Sequence, residues 1–333
     1  MALFTRVAPS VVLPGILAPQ TQSVDFDKYI GNKTNLASKA DEALYITAIE
    51  NINSETSVGQ QWNENLTNQG YSLGQIQVPF YRINAYFEYD ENERAKFEAL
   101  SNGVSLPAFL ENLAKQGINQ RKHQAVLFGF DNSLEQGIVA NSTLANLPQD
   151  SGGKSTLLEY SIPELQVFLS SLVRQAMDNS FNLIKPVVFA SSVRVINYLK
   201  TAIVPLANYQ ANGAGVDSVA GVYDRVVSDW LGCPKVEFIA DDLLYSKDGQ
   251  DSILIIAPGM ADYSAQDEDV NQNLVGSFNS ITYNTMMDAS EGLVRMQNPD
   301  NFGKMSALLT YKMTPGVSLR KEAVIECKVK YSN

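Results

Sequence analysis

Between Ile76 and Tyr89 apolar residues alternate with polar ones, and the alternation changes face beside Pro79. Ile76, Val78 and Phe80 carry the first phase; Tyr81, Ile83, Ala85, Phe87 and Tyr89 carry the second. Successive side chains on a strand point to opposite faces, so a period of two predicts extended chain and a one-residue slip exchanges the faces. Proline donates no ladder hydrogen bond, which favours an edge or protruding hairpin with a bulge at the slip. A further strand pattern, Ala43 to Glu50, precedes it across the polar stretch Asn51 to Gln69. The predicted ribbon over residues 43–89 has too little local core to be stable alone, so it needs another surface. Its candidate intersubunit contacts are Tyr71, Ile76, Val78, Phe80, Tyr81, Ile83, Phe87 and Tyr89. On physics alone these aromatic residues, with Tyr86, fit an interface or the chain's own core equally well.

Helical periods come next. Ser105 and Pro107 start a helix whose imperfect stripe is Phe109, Leu110, Leu113, Ile118, Ala125, Val126 and Phe128, with Gly117 tolerated inside or marking a bend. The best-defined helix opens on a capping box, Ser161 with Glu164, and Pro163 in the first turn. Its stripe is Leu165, Phe168, Leu169, Leu172, Val173, Ala176 and Met177. Pro186 to Ala190 reads as a buried strand, and Ser192 caps a helix through Ile196 and Leu199. Val222, Val226, Val227 and Trp230 predict a helix stopped by Gly232. Val236 to Ile239 and Ile253 to Ala257 read as strands. Alternation returns at Ile281, Tyr283 and Thr285, then at Ile325, Cys327, Val329 and Tyr331 against Glu326, Lys328 and Lys330. The order is an arm without clear period (residues 1–40), a projecting hairpin, a long helix, an α/β middle and a β tail. That is an α+β arrangement.

Charged residues are 18% of the 333-residue chain, while neutral polar residues are abundant. Such a surface costs less to desolvate and favours protein–protein contact. The net charge of −11 argues against general nucleic-acid binding, which rests on Lys and Arg, and by itself is ordinary acidic solubility. Cys233 and Cys327 have neither metal-ligand nor redox spacing; a reducing cytosol with both thiols buried or inert fits them. Pro14 and Gly15 interrupt the apolar stretch Val11 to Ala18, which suits an extended arm better than a secretory leader. No apolar run approaches the ~20 residues of a membrane helix. The Asn-X-Ser/Thr sites at Asn32, Asn65 and Asn141 carry no weight without a secretory route.

Chemistry-bearing motifs are weak. Gly153-Lys154-Ser155 echoes a phosphate-binding loop, but Pro148 stands where the first glycine is needed and a strand is expected to come after it. One histidine, His123, supports no triad and no histidine-rich zinc site; a surface or interface position on the long helix is expected. Asp262, Asp267, Glu268 and Asp269 lack calcium-loop spacing and read as a solvated loop. Asp241 and Asp242 read as a turn after a strand. The sequence predicts no catalytic, metal or cofactor residue, and hence no enzyme.

The element order, with Phe128-Gly129, Gly137-Ile138, Asn141, the helix from Ser161, Pro186 to Leu199 and Gly292 to Pro299, resembles the major capsid proteins of tailed bacteriophages that share the Hong Kong 97-type fold. It looks closest to a branch long catalogued only as an uncharacterised capsid-like domain. In that family an aromatic–Gly pair precedes a Gly-apolar-apolar-Asn turn after the spine helix; here Ala140 adds one residue before Asn141. Gly292 to Pro299 resembles the family's turn into the closing strands.

The resemblance implies an N-terminal arm (1–40), an extension loop (41–95), a spine helix with the first part of a peripheral domain (96–155), an axial domain (156–277) and closing strands of the peripheral domain (278–333). It implies a self-assembling icosahedral head of hexamers and pentamers around DNA bound without sequence specificity, built in the bacterial cytoplasm. An acidic wall would suit a container that must not grip its DNA. A separate scaffold protein and a portal are expected partners, with a cement protein as a further candidate; no membrane is involved. The covalent crosslinks of some relatives find no matching positions. The rival readings are another virion component, such as a tail-tube or decoration protein, and an encapsulin-like nanocompartment shell.

Overall fold

The computed structural model describes residues 26–30, 32–34, 42–53, 70–100, 104–130, 136–140, 142–145, 154, 156–179, 184–205, 216–233, 235–246, 249–259, 284–297 and 304–332. The first half of the chain supplies β1 (Asn32–Thr34), β2 (Ala43–Asn53), β3 (Gly70–Pro79), β4 (Tyr81–Asp90), α1 (Glu91–Leu100), α2 (Leu106–Phe128) and β5 (Thr143–Ala145). Then come α3 (Ile162–Asn179), β6 (Val188–Ser191), α4 (Val193–Thr201), β7 (Ile203–Pro205), β8 (Val216–Ser218) and α5 (Val219–Arg225). Last are β9 (Glu237–Ala240), β10 (Gln250–Ile256), β11 (Asn284–Gln297), β12 (Lys304–Met313), β13 (Val317–Ser318) and β14 (Val324–Lys330). This is the α+β mix that the sequence periods predict.

Contacts divide the chain into two units. One holds residues 82–122 with 291–311; the other holds 24–81, 123–290 and 312–333. The larger unit is built on a five-stranded sheet in the order β5-β14-β10-β6-β9. At its centre, Ile253 to Ile256 of β10 are buried on both faces, which is why the segment reads as an unbroken apolar run. The predicted stripe of α3 is buried residue for residue: Leu165, Phe168, Leu169, Leu172, Val173, Ala176 and Met177. At its start the Ser161 amide and hydroxyl both donate to Glu164, at 2.7 and 2.6 Å. The Ser192 hydroxyl accepts from the Val195 amide and starts α4, whose Ile196 and Leu199 are buried. In β14 the expected Ile325, Cys327 and Val329 point inward. Glu326 is buried as well, because it accepts from the Ser252 hydroxyl.

Several expectations differ in place or phase. The helix from Val219 buries Val219, Ala220, Tyr223 and Val227, a stripe displaced from Val222 and Val226, and continues as one π turn over Val226–Trp230 before Gly232. Gly292 lies inside β11 and is no turn: its carbonyl accepts from the Thr310 hydroxyl on β12. After Lys154 the chain makes a 3-10 turn (Leu157–Glu159) and then α3, not a strand. Helix α1 is not among the predicted elements, although Asp90 and Glu93 form a reciprocal cap: the Glu93 amide donates to Asp90 at 2.6 Å and the Asp90 amide to Glu93 at 3.2 Å.

The ribbon is shorter than predicted. Strands β2 and β3 form a two-stranded sheet of their own, with the register broken between Ile49 and Asn51, so the bulge sits at Glu50 rather than at Pro79. The phase slip marks an exit instead: after Pro79 the chain leaves the ribbon, and β4 lies beside β12 in another sheet.

The end of α2 explains the aromatic–Gly motif. The last carbonyls of a helix lack partners within it. Here Ala125 O accepts from the Gly129 and Gly316 amides, Val126 O from Ile138, and Leu127 O from Val139. Gly129 and Gly137 both have positive φ, 77° and 95°. A Cβ on Gly137 would stand 2.4 Å from the Leu127 carbonyl oxygen, so no larger residue fits while the loop returns this closely.

Candidate functional site

Among the described residues, two buried polar clusters and the β2–β3 ribbon, with exposed Tyr45 and Ile76, are features that could carry function. The first cluster joins distant parts of the chain. Asp241, wholly buried after β9, accepts from the Tyr29 hydroxyl at 2.8 Å and lies 2.6 Å from Nε2 of His123 near the end of α2. Its other oxygen accepts from the Leu243 amide at 2.9 Å, capping a 3-10 turn. The Tyr29 ring stacks on the His123 ring at 6.1 Å between centroids. Burial, then the neighbouring carboxylate, pushes the Tyr29 phenol well above its usual pKa, so it stays a donor. His123 is therefore buried, not at the surface as its place on a long helix suggests.

The second cluster pins α4 to β10. Asp251, also wholly buried, receives two guanidinium hydrogen bonds from Arg194 at 2.6 Å and one from the Ser192 hydroxyl at 2.5 Å. Arg194 also lies over the Tyr245 and Tyr331 rings, at 4.6 and 5.2 Å. Ser192 and His123 thus serve different carboxylates, and neither cluster assembles a nucleophile, a base and an orienting acid. Among the described residues no group of three or more His, Cys, Asp or Glu side chains comes together to hold a metal.

Lys154, the lysine of the phosphate-loop echo, donates to Glu164 at 2.5 Å. That bond, with those from Ser161, holds the Glu164 carboxyl down at about 2. Cys233 and Cys327 are both buried thiols; burial pushes Cys327 up to about 12 and also raises Cys233. The acidic group from Asp262 to Asp269, Asn141, and Ile281 and Tyr283 lie outside the described residues. Among the described residues no helix is long and apolar enough to cross a membrane.

The predicted contact residues separate into two groups. On β4 the inward phase is Tyr81, Ile83, Ala85, Phe87 and Tyr89, and it meets this chain's own structure. Ile83 and Tyr89 are buried. Tyr81 stacks on Phe130 at 4.7 Å, and its hydroxyl accepts from Gln136. Phe87 and Tyr89 line a hollow of about 240 Å³ with Pro107, Met305 and Arg295. Of the two readings the sequence leaves open for these residues, Tyr81, Ile83, Phe87 and Tyr89 on β4 turn toward this chain's own structure. Val78 is buried too, and Phe80 is half-buried beneath the Lys312 ammonium. Tyr71 has its backbone in β3 opposite Ile52. Ile76, at 41% exposed, remains open, and so does Tyr45 at 57%, a residue outside the predicted set.

No family model matches the sequence, and no curated protein matches it. Solved structures do match, nearly end to end. A chain from the capsid of Myoviridae phage XM1 superposes with a TM-score of 0.67 at 13% identity, covering 96% of this chain and 96% of that one. A chain from Mycobacterium phage Che8 gives 0.61 at 12% identity, covering 97% and 98%. The capsid of an empty GTA particle gives 0.55 at 9% identity, covering 97% and 95%. The chain has the Hong Kong 97-type capsid fold. The shared backbone at so little shared sequence places the likeness in architecture rather than in any motif.

Proposed function

We propose that this chain is a major capsid protein, many copies of which build an icosahedral shell of hexamers and pentamers around packaged DNA. The observation that carries the reading is the end-to-end likeness to phage capsid chains, 96% of both partners in one instance. It is supported by a two-stranded ribbon with exposed Tyr45 and Ile76 and no third strand among the described residues. A ribbon of this kind is marginal in water and gains stability when a neighbouring copy covers it.

In this reading residues 1–40 are an arm and 41–95 an extension loop; 96–155 hold the spine helix and 278–333 the closing strands of the peripheral domain, with 156–277 as the axial domain. Tyr71, Ile76, Val78, Phe80, Tyr81, Ile83, Phe87 and Tyr89 remain candidate contacts, with Ile76 first among them and Tyr45 added. Assembly takes place in the bacterial cytoplasm on a separate scaffold protein, a portal fills one vertex, and a cement protein is a further candidate. The protein itself catalyses nothing and needs no cofactor. The net charge of −11 suits an inner wall that does not adhere to DNA.

Electron microscopy of the purified full-length chain tests this, beside a variant carrying Tyr45→Asp and Ile76→Asp. The wild type is expected to form rings or larger shell-like assemblies even without its scaffold, and the variant to stay folded yet form none. A wild type that stays monomeric at high concentration would overturn the reading.

A further inference from the structure

The smaller unit holds an open hollow of about 240 Å³ with mostly apolar walls. Strands β4 and β12 are neighbours in one sheet, and side chains two apart on a strand share a face. Phe87 with Tyr89, and Met305 with Ala307, therefore line the hollow in two adjacent rows. Pro107, in the first turn of α2, is the helix's contribution. Among the described residues the one charged group in the lining is Arg295, on β11 beside β12. Its side chain is 65% exposed, and its Nη2 donates to Glu111 at 3.0 Å. Glu111 is shared, because Lys115 pairs with its other oxygen at 3.0 Å. One carboxylate thus meets two cations, and the guanidinium keeps N–H donors for a second acceptor.

We propose that this hollow binds an acidic segment of a partner protein: one phenyl-sized side chain enters it, and a neighbouring carboxylate meets Arg295. Size, walls and charge point the same way. An apolar cavity of about 150 Å³ holds benzene, so one of about 240 Å³ takes a ring with the carbons that attach it. Aromatic faces and a methionine sulfur pack well on such a ring. Water finds few polar partners against these walls and gives way readily. The rim is open, with Met305 39% exposed, so a side chain can enter while its backbone stays outside. A hollow of one side chain's size suits an anchor residue of a protein partner. An apolar body with a single charged group to fix orientation is also the usual make-up of a binding pocket. The net charge of −11 repels an acidic segment at long range, so a preference for one over a neutral segment needs a local cation. Arg295 supplies it. The site lies within one subunit and needs no shell, so its failure and that of the shell reading are separate results.

Calorimetric titration of the full-length chain with end-blocked tripeptides tests it, with the Met305 methyl signal followed by NMR to place the contact. The probes are Asp-Phe-Asp, Asn-Phe-Asn and Asp-Ala-Asp, with phenylacetate as the small-molecule arm. Asp-Phe-Asp should bind, shift the Met305 signal and exceed Asp-Ala-Asp by about tenfold or more, the effect of burying a large apolar side chain. Arg295→Gln should weaken Asp-Phe-Asp by about three- to tenfold, as expected for an exposed charged hydrogen bond, and leave Asn-Phe-Asn unchanged. Met305→Trp fills the hollow from an exposed position and should abolish binding of both Phe peptides. Failure of Asp-Phe-Asp to bind would overturn the proposal, and so would equal affinity for Asn-Phe-Asn. Phenylacetate binding as tightly as Asp-Phe-Asp would replace the protein partner with a small acid. A Met305 signal that shifts with subunit concentration alone would give the hollow to a second copy instead. If Met305→Trp fails to fold, Arg295→Gln and the peptide series decide alone.

Discussion

Strands β3 and β10 lie in the same chain and meet opposite conditions. β10 has β14 on one side and β6 on the other, and its residues from Ile253 to Ile256 are buried. Among the described residues β3 has β2 alone, and Ile76 near its end is 41% exposed. A sheet interior supplies its own cover; a ribbon does not. The contrast separates a strand covered within the chain from one that, in the proposed reading, a second copy covers.

The contrast can be sharpened by truncation, the largest effect first. Phe168→Ala, in the core beneath α3, is expected to lower unfolding free energy by about 3–5 kcal/mol in chemical denaturation. Replacing Arg194 by Leu should cost about 3 kcal/mol in the same assay, since it leaves the Asp251 carboxylate buried without its cation. Gly137→Ala should cost about 1–3 kcal/mol, from a side chain forced into left-handed backbone against a carbonyl. Ile76→Ala, in contrast, should change subunit stability by less than about 0.5 kcal/mol. A ribbon truncation as costly as the core one would break the comparison.

The smallest effect is a pH dependence at the start of α3. The Glu164 pKa is depressed from an ordinary 4.5 to about 2, chiefly by the Lys154 hydrogen bond and then by Ser161. A depressed carboxylate favours the folded state above its unfolded pKa and loses that contribution as pH falls through the folded value. Stability from this group is thus full above roughly pH 4.5 and lost toward about 2. The group is solvent-exposed, so the slope should be slight; Lys154→Ala should raise the midpoint of the Glu164 carboxyl titration followed by NMR.

Legibility in the sequence divides along the same line. The α3 stripe and the β10 run can be read because local period and burial coincide there. The aromatic–Gly and Gly-apolar pairs can be located, although their cause, one loop returning over the end of α2, needs the fold. The phase slip at Pro79 is visible, but a change of face cannot distinguish a bulge from a strand that changes sheets. Helix α1 has a readable sign in Asp90 and Glu93. The Tyr29–Asp241–His123 cluster has none: its members lie far apart in the chain, and each alone looks like an unremarkable turn or helix residue. Arg194 and Asp251 are hidden in the same way.

If other copies stabilise the ribbon, amide hydrogen exchange across β2 and β3 measures it directly. In free subunits these amides are expected to exchange far faster than those of β10, and in assembled particles to become comparably protected. Ribbon amides as protected in the lone subunit as those of β10 would contradict it.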